Sequence, residues 1–174
     1  RHFTVELYAK AVATAASAAI TSGADGSIFI APGKTELVLV TLDNAGAAAE
    51  LTKHLISQGY GRIAGLFGAI GSTGEERRAG FLKTLEEHGL GAEAAEFVPP
   101  RRAAGSEAVC ALLAREAPPE AILCGNSLLT EGALLTIRAQ GLRIPTDVAL
   151  AGFDETVWQG LIEPAITVIA QPTD

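Results

Sequence analysis

Four places along the chain set polar side chains directly after apolar runs: Asp43-Asn44, Gly71-Ser72-Thr73, Asn126-Ser127 and Asp154-Glu155. Carboxylates accept hydrogen bonds, carboxamides donate and accept, and hydroxyls do either. Taken singly, each such group also starts a turn or caps a helix. Four of them at the ends of apolar strands point instead to a shared crevice, because ligands of open parallel sheets sit at the C-terminal strand ends. Arg77, in the segment GSTGEERRAGF, adds a planar fork. It is placed either to donate paired hydrogen bonds to ligand oxygens or to an acid such as Asp154, or to stand solvated beside Arg78. The same segment has capping-box spacing, Ser72 with Glu75 or Thr73 with Glu76.

The chemistry that these residues support is binding. No Ser/His/Asp or Cys/His set suggests itself, and His2, His54 and His88 are scattered, away from metal-ligand spacing. The glycines of GLFGAIGSTG do not form a dinucleotide fingerprint, and no phosphate-loop lysine follows. The expectation is therefore no catalytic residue, no metal site and no cofactor.

Alternating elements must position these groups. AGAAAELTKHLISQGY reads as a helix stopped by Gly59, RIAGLFGA as a strand, and GSTGEERRAGFLKTLEEHGL as a loop and helix. GSEAVCALLAREAPP is a helix, AILCGNS a strand, LLTEGALLTIRAQGL a helix, IPTDVALAGFDE a loop and strand, and ITVIAQPTD a last strand. From Asp43 on this alternation calls for an α/β fold, a parallel sheet with helices on both faces. Before Asp43 it breaks. FTVELYAKAVATAASAAI reads as a helix, and the strands SIFIA and ELVLVTL are too close for a parallel crossover. Either they form an antiparallel hairpin, or segments are missing from the chain near Ala18 to Ile20 and near Gly33.

A chain of 174 residues suffices for one good core or two small subdomains. Its formal charge of -7 argues against gripping nucleic acid through its own surface. Cys110 and Cys124 lie among apolar residues and read as buried free thiols of a reducing cytoplasm rather than a disulfide. The N-terminus lacks a signal-peptide plan, and no apolar run approaches the ~20 residues of a membrane span. The expected setting is cytoplasmic, with no membrane partner.

Four blocks carry a more specific resemblance. They are VTLDNAGAAAELTKHLISQGYGRIAGLFG, EERRAGFLKTLEEHGL with Arg77, Gly80 and Phe81, PPEAILCGNSLLTEGALLTIRAQGLRIPTDVALAGFDE, and IEPAITVIAQP. Together they resemble the effector-binding core of the lactose/galactose-repressor family of bacterial transcription regulators. The resemblance implies two doubly wound parallel-sheet subdomains of periplasmic-binding-protein-like type with a ligand cleft between them. The boundaries read as 1–58 for an incomplete N-terminal subdomain, 59–171 for the C-terminal one, and 172–174 for the start of the return.

It also implies a small effector, a sugar or sugar derivative, a homodimer, and operator DNA bound only through a helix-turn-helix head absent from this chain. By the same resemblance Asp154 accepts hydrogen bonds from ligand hydroxyls, Arg77 clamps ligand oxygens and Asn126 supplies an amide. Thr73 and Asp43 stand at further polar positions, and Phe3, with Thr4, where an aromatic packs on the ligand. Trp158 either stacks on a sugar or packs half-buried. Two departures are plain: Ser127 replaces the family's usual Asp, and Pro100-Arg101 stand where some members carry an aromatic. The rival readings are a periplasmic sugar-binding protein of a transporter and a nucleotide-dependent enzyme.

Overall fold

The computed structural model describes residues 5–6, 27–30, 37–40, 43–156, 158 and 162–170. Its first strands are β1 (Val5–Glu6), β2 (Ser27–Ile30) and β3 (Leu37–Val40), followed by α1 (Asn44–Ser57), β4 (Ile63–Gly68) and α2 (Ser72–Glu87). Then come β5 (Ala94–Val98), α3 (Arg102–Leu113), β6 (Ala121–Cys124), α4 (Ser127–Ala139), β7 (Ala149–Phe153) and β8 (Thr167–Ala170). The main sheet runs β1-β8-β7-β6-β4-β5, with every neighbouring pair parallel.

Side-chain alternation sorts the core into two layers. Along β4, Ile63 and Phe67 turn to one face while Ala64 and Leu66 turn to the other. In β7 Ala149, Ala151 and Phe153 take the first face and Leu150 the second; in β6 Leu123 opposes Ile122 and Cys124. The first face is covered by α1 and α2 through Leu51, Leu55, Phe81 and Leu85; the second is covered by α3 and α4 through Val109, Leu112, Leu129 and Ile137. A strand buried on both sides has no polar face to show, which is why AILC and ALAGF read as continuous apolar runs.

Several expectations are corrected. Val5–Glu6 is a strand, not helix: it pairs in parallel with β8, Val5 opposite Ile169. Extension of a buried sheet here overrides local helix propensity. The rest of that stretch lies outside the described residues. β2 and β3 form an antiparallel pair, Ser27 opposite Val40 and Ile30 opposite Leu37, which is the hairpin alternative. Strand β5 has no counterpart in the sequence reading, because its Ala-Ala-Glu start is poor in strand-favouring residues. The N-cap of α2 is Gly71, which makes no side-chain cap bond, rather than Ser72 or Thr73, and Glu76 accepts from Asn44. Cys110 is exposed, so only Cys124 is a buried thiol.

Helix α1 was grouped by sequence with the first subdomain, yet it packs on α2 and shares a buried cluster with Ile63, Phe67 and Phe81. The approach of the two helices is set by Gly80, where an added Cβ would collide with the carbonyl oxygen of Ala45. At the outer border of the sheet, Arg78 lies over the Phe97 ring at 5.2 Å and its Nε donates to the Ala95 carbonyl at 2.7 Å. Arg115 donates to the Glu93 carbonyl at 2.9 Å beside it.

Two outcomes follow from this packing. Gly80→Ala forces α1 away from α2 and should destabilise the chain by about 1–3 kcal/mol, the usual cost of overpacking, read as a lower urea midpoint. Burial pushes the Cys124 thiol up to about 12. A disulfide-exchange reagent at neutral pH should therefore titrate Cys110 alone in the native chain, and both thiols once it is unfolded in guanidinium.

Candidate functional site

The strands run parallel, so the ends of β4, β6 and β7 open on one side of the sheet. There a cleft of about 440 Å³ is lined by Thr73, Arg77, Asn126 and Asp154, together with Asn44 and Ser127. Ile70, Pro100 and Leu128 give it apolar walls. Four of the residues singled out by sequence are thus brought together.

Arg77 is the most constrained of them, with only 4% of its surface exposed. Its Nε donates to Asn44 Oδ1 at 3.0 Å and its Nη1 to the Gly125 carbonyl at 2.6 Å. Its guanidinium carbon lies 3.9 Å from the centre of the Phe153 ring, close enough for a cation–π contact. The side chain therefore ties α2 to α1, to the end of β6 and to the end of β7. This rules out the solvated alternative, because structural bonds hold the guanidinium at the cleft wall.

Asp154 follows the last residue of β7 with φ 69°, in the left-handed region that asparagine and aspartate enter more readily than most residues. Its amide donates to the Ile169 carbonyl at 2.9 Å, anchoring the turn to β8. Its Oδ2 accepts from the Ser127 amide at 3.3 Å, so the carboxylate sits against the N-terminus of α4, where backbone N–H groups favour negative charge. Asn126 is the N-cap of that helix, its Oδ1 accepting from the Leu129 amide at 2.9 Å. With the oxygen engaged, the donor end of the carboxamide turns toward Gly68: Nδ2 is the nearest atom, at 3.4 Å, to where a Cβ on Gly68 would stand. Gly74 closes the corner, since a side chain there would strike the Gly68 carbonyl.

The other expected site residues lie elsewhere. Asp43 is exposed and caps α1, accepting from the Gly46 amide at 2.8 Å. Trp158 is half-buried against the α3–α4 layer and is not among the cleft-lining residues. Phe3 and Thr4 lie outside the described residues. Residues not assigned by sequence are Asn44 and Phe153. Asn44 had been noted only as part of a strand-end pair, and Phe153 only as the strand terminus, although alternation from Ala149 and Ala151 aims its ring at the α1–α2 face.

The cleft offers one carboxylate acceptor and two kinds of donor, a carboxamide and a guanidinium. That set orients hydroxyls and oxygen acceptors on a bound molecule. Among the described residues, no group of three or more His, Cys, Asp or Glu side chains is arranged to hold a metal ion. Nor is any described helix long and apolar enough to cross a membrane.

Comparison with known proteins agrees with this geometry. The model of the periplasmic binding protein-like domain matches residues 52–174. The HTH-type transcriptional regulator DegA of Bacillus subtilis is 34% identical over 137 residues, which are 77% of this chain and 40% of that protein. A LacI family transcriptional regulator from Mycobacterium smegmatis superposes with a TM-score of 0.69 at 32% identity, covering 75% of this chain and 50% of that one. The transcriptional regulator CelR in its cellobiose complex gives a TM-score of 0.69 at 31% identity, covering 75% of this chain and 41% of that one. The chain thus spans half or less of the length of these relatives.

The bonds of Arg77 carry an expected outcome of their own. Arg77→Ala leaves the buried Asn44 oxygen and Gly125 carbonyl without this donor, at about 1–3 kcal/mol for each acceptor left unsatisfied. Its urea unfolding midpoint should fall well below that of the parent chain; an unchanged midpoint would show that these bonds hold nothing together.

Proposed function

Since the chain belongs to the periplasmic binding protein-like domain family, among the lactose/galactose-repressor (LacI) regulators, we propose that it is the effector-sensing part of a bacterial transcription regulator. The observation that carries this reading is the convergence of Asp154, Asn126 and the buried Arg77 on one cleft at the ends of parallel strands. A ligand hydroxyl donates to Asp154, and ligand oxygens accept from the Asn126 carboxamide and the Arg77 guanidinium. Thr73 supplies a further hydroxyl from the first turn of α2.

The effector is a sugar or sugar derivative. The donor and acceptor set suits a polyol, and the cellobiose complex of CelR supports the class. The part of the chain ahead of α1, apart from β1, contributes the facing wall, with Phe3 packing on the ligand, while the main sheet with α1 and α2 contributes the wall described above. An effector bridging both walls favours the hinge state that it fits better, because binding shifts a conformational equilibrium only by its differential affinity for the two states. A homodimer transmits that bias to helix-turn-helix heads carried elsewhere in the protein, and these bind operator DNA in the cytoplasm. The role is binding without catalysis, and no cofactor enters it.

A thermal-shift screen with cellobiose, simple monosaccharides, D-gluconate and purines tests the reading, since a bound ligand raises apparent stability by mass action. The expected result is a rise in melting temperature with at least one saccharide, confirmed by calorimetry. Asp154→Asn keeps the backbone turn and removes the charge. It should weaken that saccharide by about 1.5–3 kcal/mol, the worth of a hydrogen bond to a charged group. No response to any saccharide, or full affinity in Asp154→Asn, would sink the proposal.

A further inference from the structure

Arg78 follows Arg77 on α2, yet it does not line the cleft, and the sensing role leaves it unexplained. It reaches instead to β5, the strand that ends the main sheet on one side. There β4 pairs with β5, and among the described residues no strand pairs beyond it. An open edge of this kind is a template for a strand from another chain, because its outward N–H and C=O groups lack ladder partners.

Register decides which groups face outward. The Ala69 amide donates to the Val98 carbonyl at 2.9 Å, so Val98 turns its backbone groups toward β4. Successive residues of a strand in a parallel ladder turn theirs to opposite sides. Glu96 and Ala94 therefore also face β4, while Ala95 and Phe97 face out. Glu93, just ahead of the strand, gives its amide to the Ile63 carbonyl at 3.0 Å. The carbonyls of Glu93 and Ala95 are the two that arginines occupy. Arg115 Nη1 donates to the first at 2.9 Å and Arg78 Nε to the second at 2.7 Å.

We infer that Arg78 and Arg115 together close the β5 edge against strand addition by a second copy of this chain. They come from opposite layers: Arg78 lies on α2, which covers one face of the sheet, and Arg115 follows α3, which covers the other. The edge is thus gripped from both faces. Each side chain also has a second contact that directs it. Arg78 stands over the Phe97 ring at 5.2 Å, and Arg115 Nη2 meets Glu96 Oε1 at 3.4 Å.

Phe97 is what makes a second copy the competitor. It is 47% exposed, on the very strand whose edge is open. A two-fold contact sets the same patch on both partners, and antiparallel pairing about Phe97 would bring the ring beside its own counterpart. Aromatic cross-strand pairs favour such a ladder. For the ladder to form, the Glu93 and Ala95 carbonyls must be released and each guanidinium must lose an acceptor, which opposes the pairing. Arg115 is exposed, and exposed ion pairs such as its contact with Glu96 add little to stability. Loss of these side chains therefore changes association more than folding.

Sedimentation velocity of the full chain across a wide range of concentrations tests this, with thermal melting as the check on folding. Arg78→Ala combined with Arg115→Ala frees both acceptors. It should strengthen self-association about tenfold or more relative to the parent, each regained hydrogen bond being worth about threefold to tenfold. Adding Ala95→Pro to that variant should restore the parent's association state. The Ala95 amide faces outward, so proline removes no bond to β4 while it closes the edge again. Arg115→Ala alone, at an exposed position, keeps the fold even where the double variant does not. It should strengthen association about threefold. Association equal to the parent's in the folded double variant, or in Arg115→Ala where the double variant fails to fold, would overturn the proposal. So would association that survives Ala95→Pro, since the contact would then lie elsewhere on the chain.

Discussion

A cation removed from water must be met by acceptors and by a polarisable surface, and this fold is organised around one such group. The Arg77 guanidinium draws an amide oxygen from α1, a backbone carbonyl from the end of β6 and an aromatic face from the end of β7. Each comes from a different element, so the bonds that satisfy the charge also register the helices against the sheet. Unpaired burial of such a charge would be prohibitive, which makes the arrangement all or nothing. The cleft wall is a by-product of that requirement: two strand ends and two helices are held at the distance that one side chain can span.

The same economy shows in the carboxamides. Asn126 caps α4 with its oxygen and turns its nitrogen toward Gly68; Asn44 supports Arg77 with its oxygen and Glu76 with its nitrogen. An amide has two chemically distinct ends, so one residue completes a structural bond and still presents a group of the opposite kind. Aspartate lacks that property, and the structure uses its aspartates differently. Asp43 caps a helix at the surface, and Asp154 lies against a helix N-terminus at the cleft.

Much of this was legible in the residue order. Continuous apolar runs such as AILC and ALAGF announced buried parallel strands, and the polar residues after them marked the cleft side. Thr73, Asn126 and Asp154 were reached in that way, whereas position left Arg77 open between the cleft and solvent. What the order of residues did not show depends on distance in space. The bond between Asn44 and Arg77 spans thirty-three positions, and the choice between a solvated and a buried arginine rests on packing at Gly80. Likewise β5 has too little strand character of its own; it exists because β4 offers it an edge. Val5–Glu6 repeats that lesson beside β8.

The turn at the end of β7 restricts the changes this cleft can accept during divergence. A backbone held at φ 69° admits glycine, asparagine or aspartate with little strain and resists β-branched side chains. Position 154 can therefore exchange a negative acceptor for a neutral amide, or lose its side chain, without rebuilding the turn. It cannot readily become a bulky apolar contact. Selection for a new effector is thereby channelled: the hydrogen-bonding character of this wall is altered in small chemical steps, while changes of shape and hydrophobicity fall to the apolar walls at Ile70, Pro100 and Leu128.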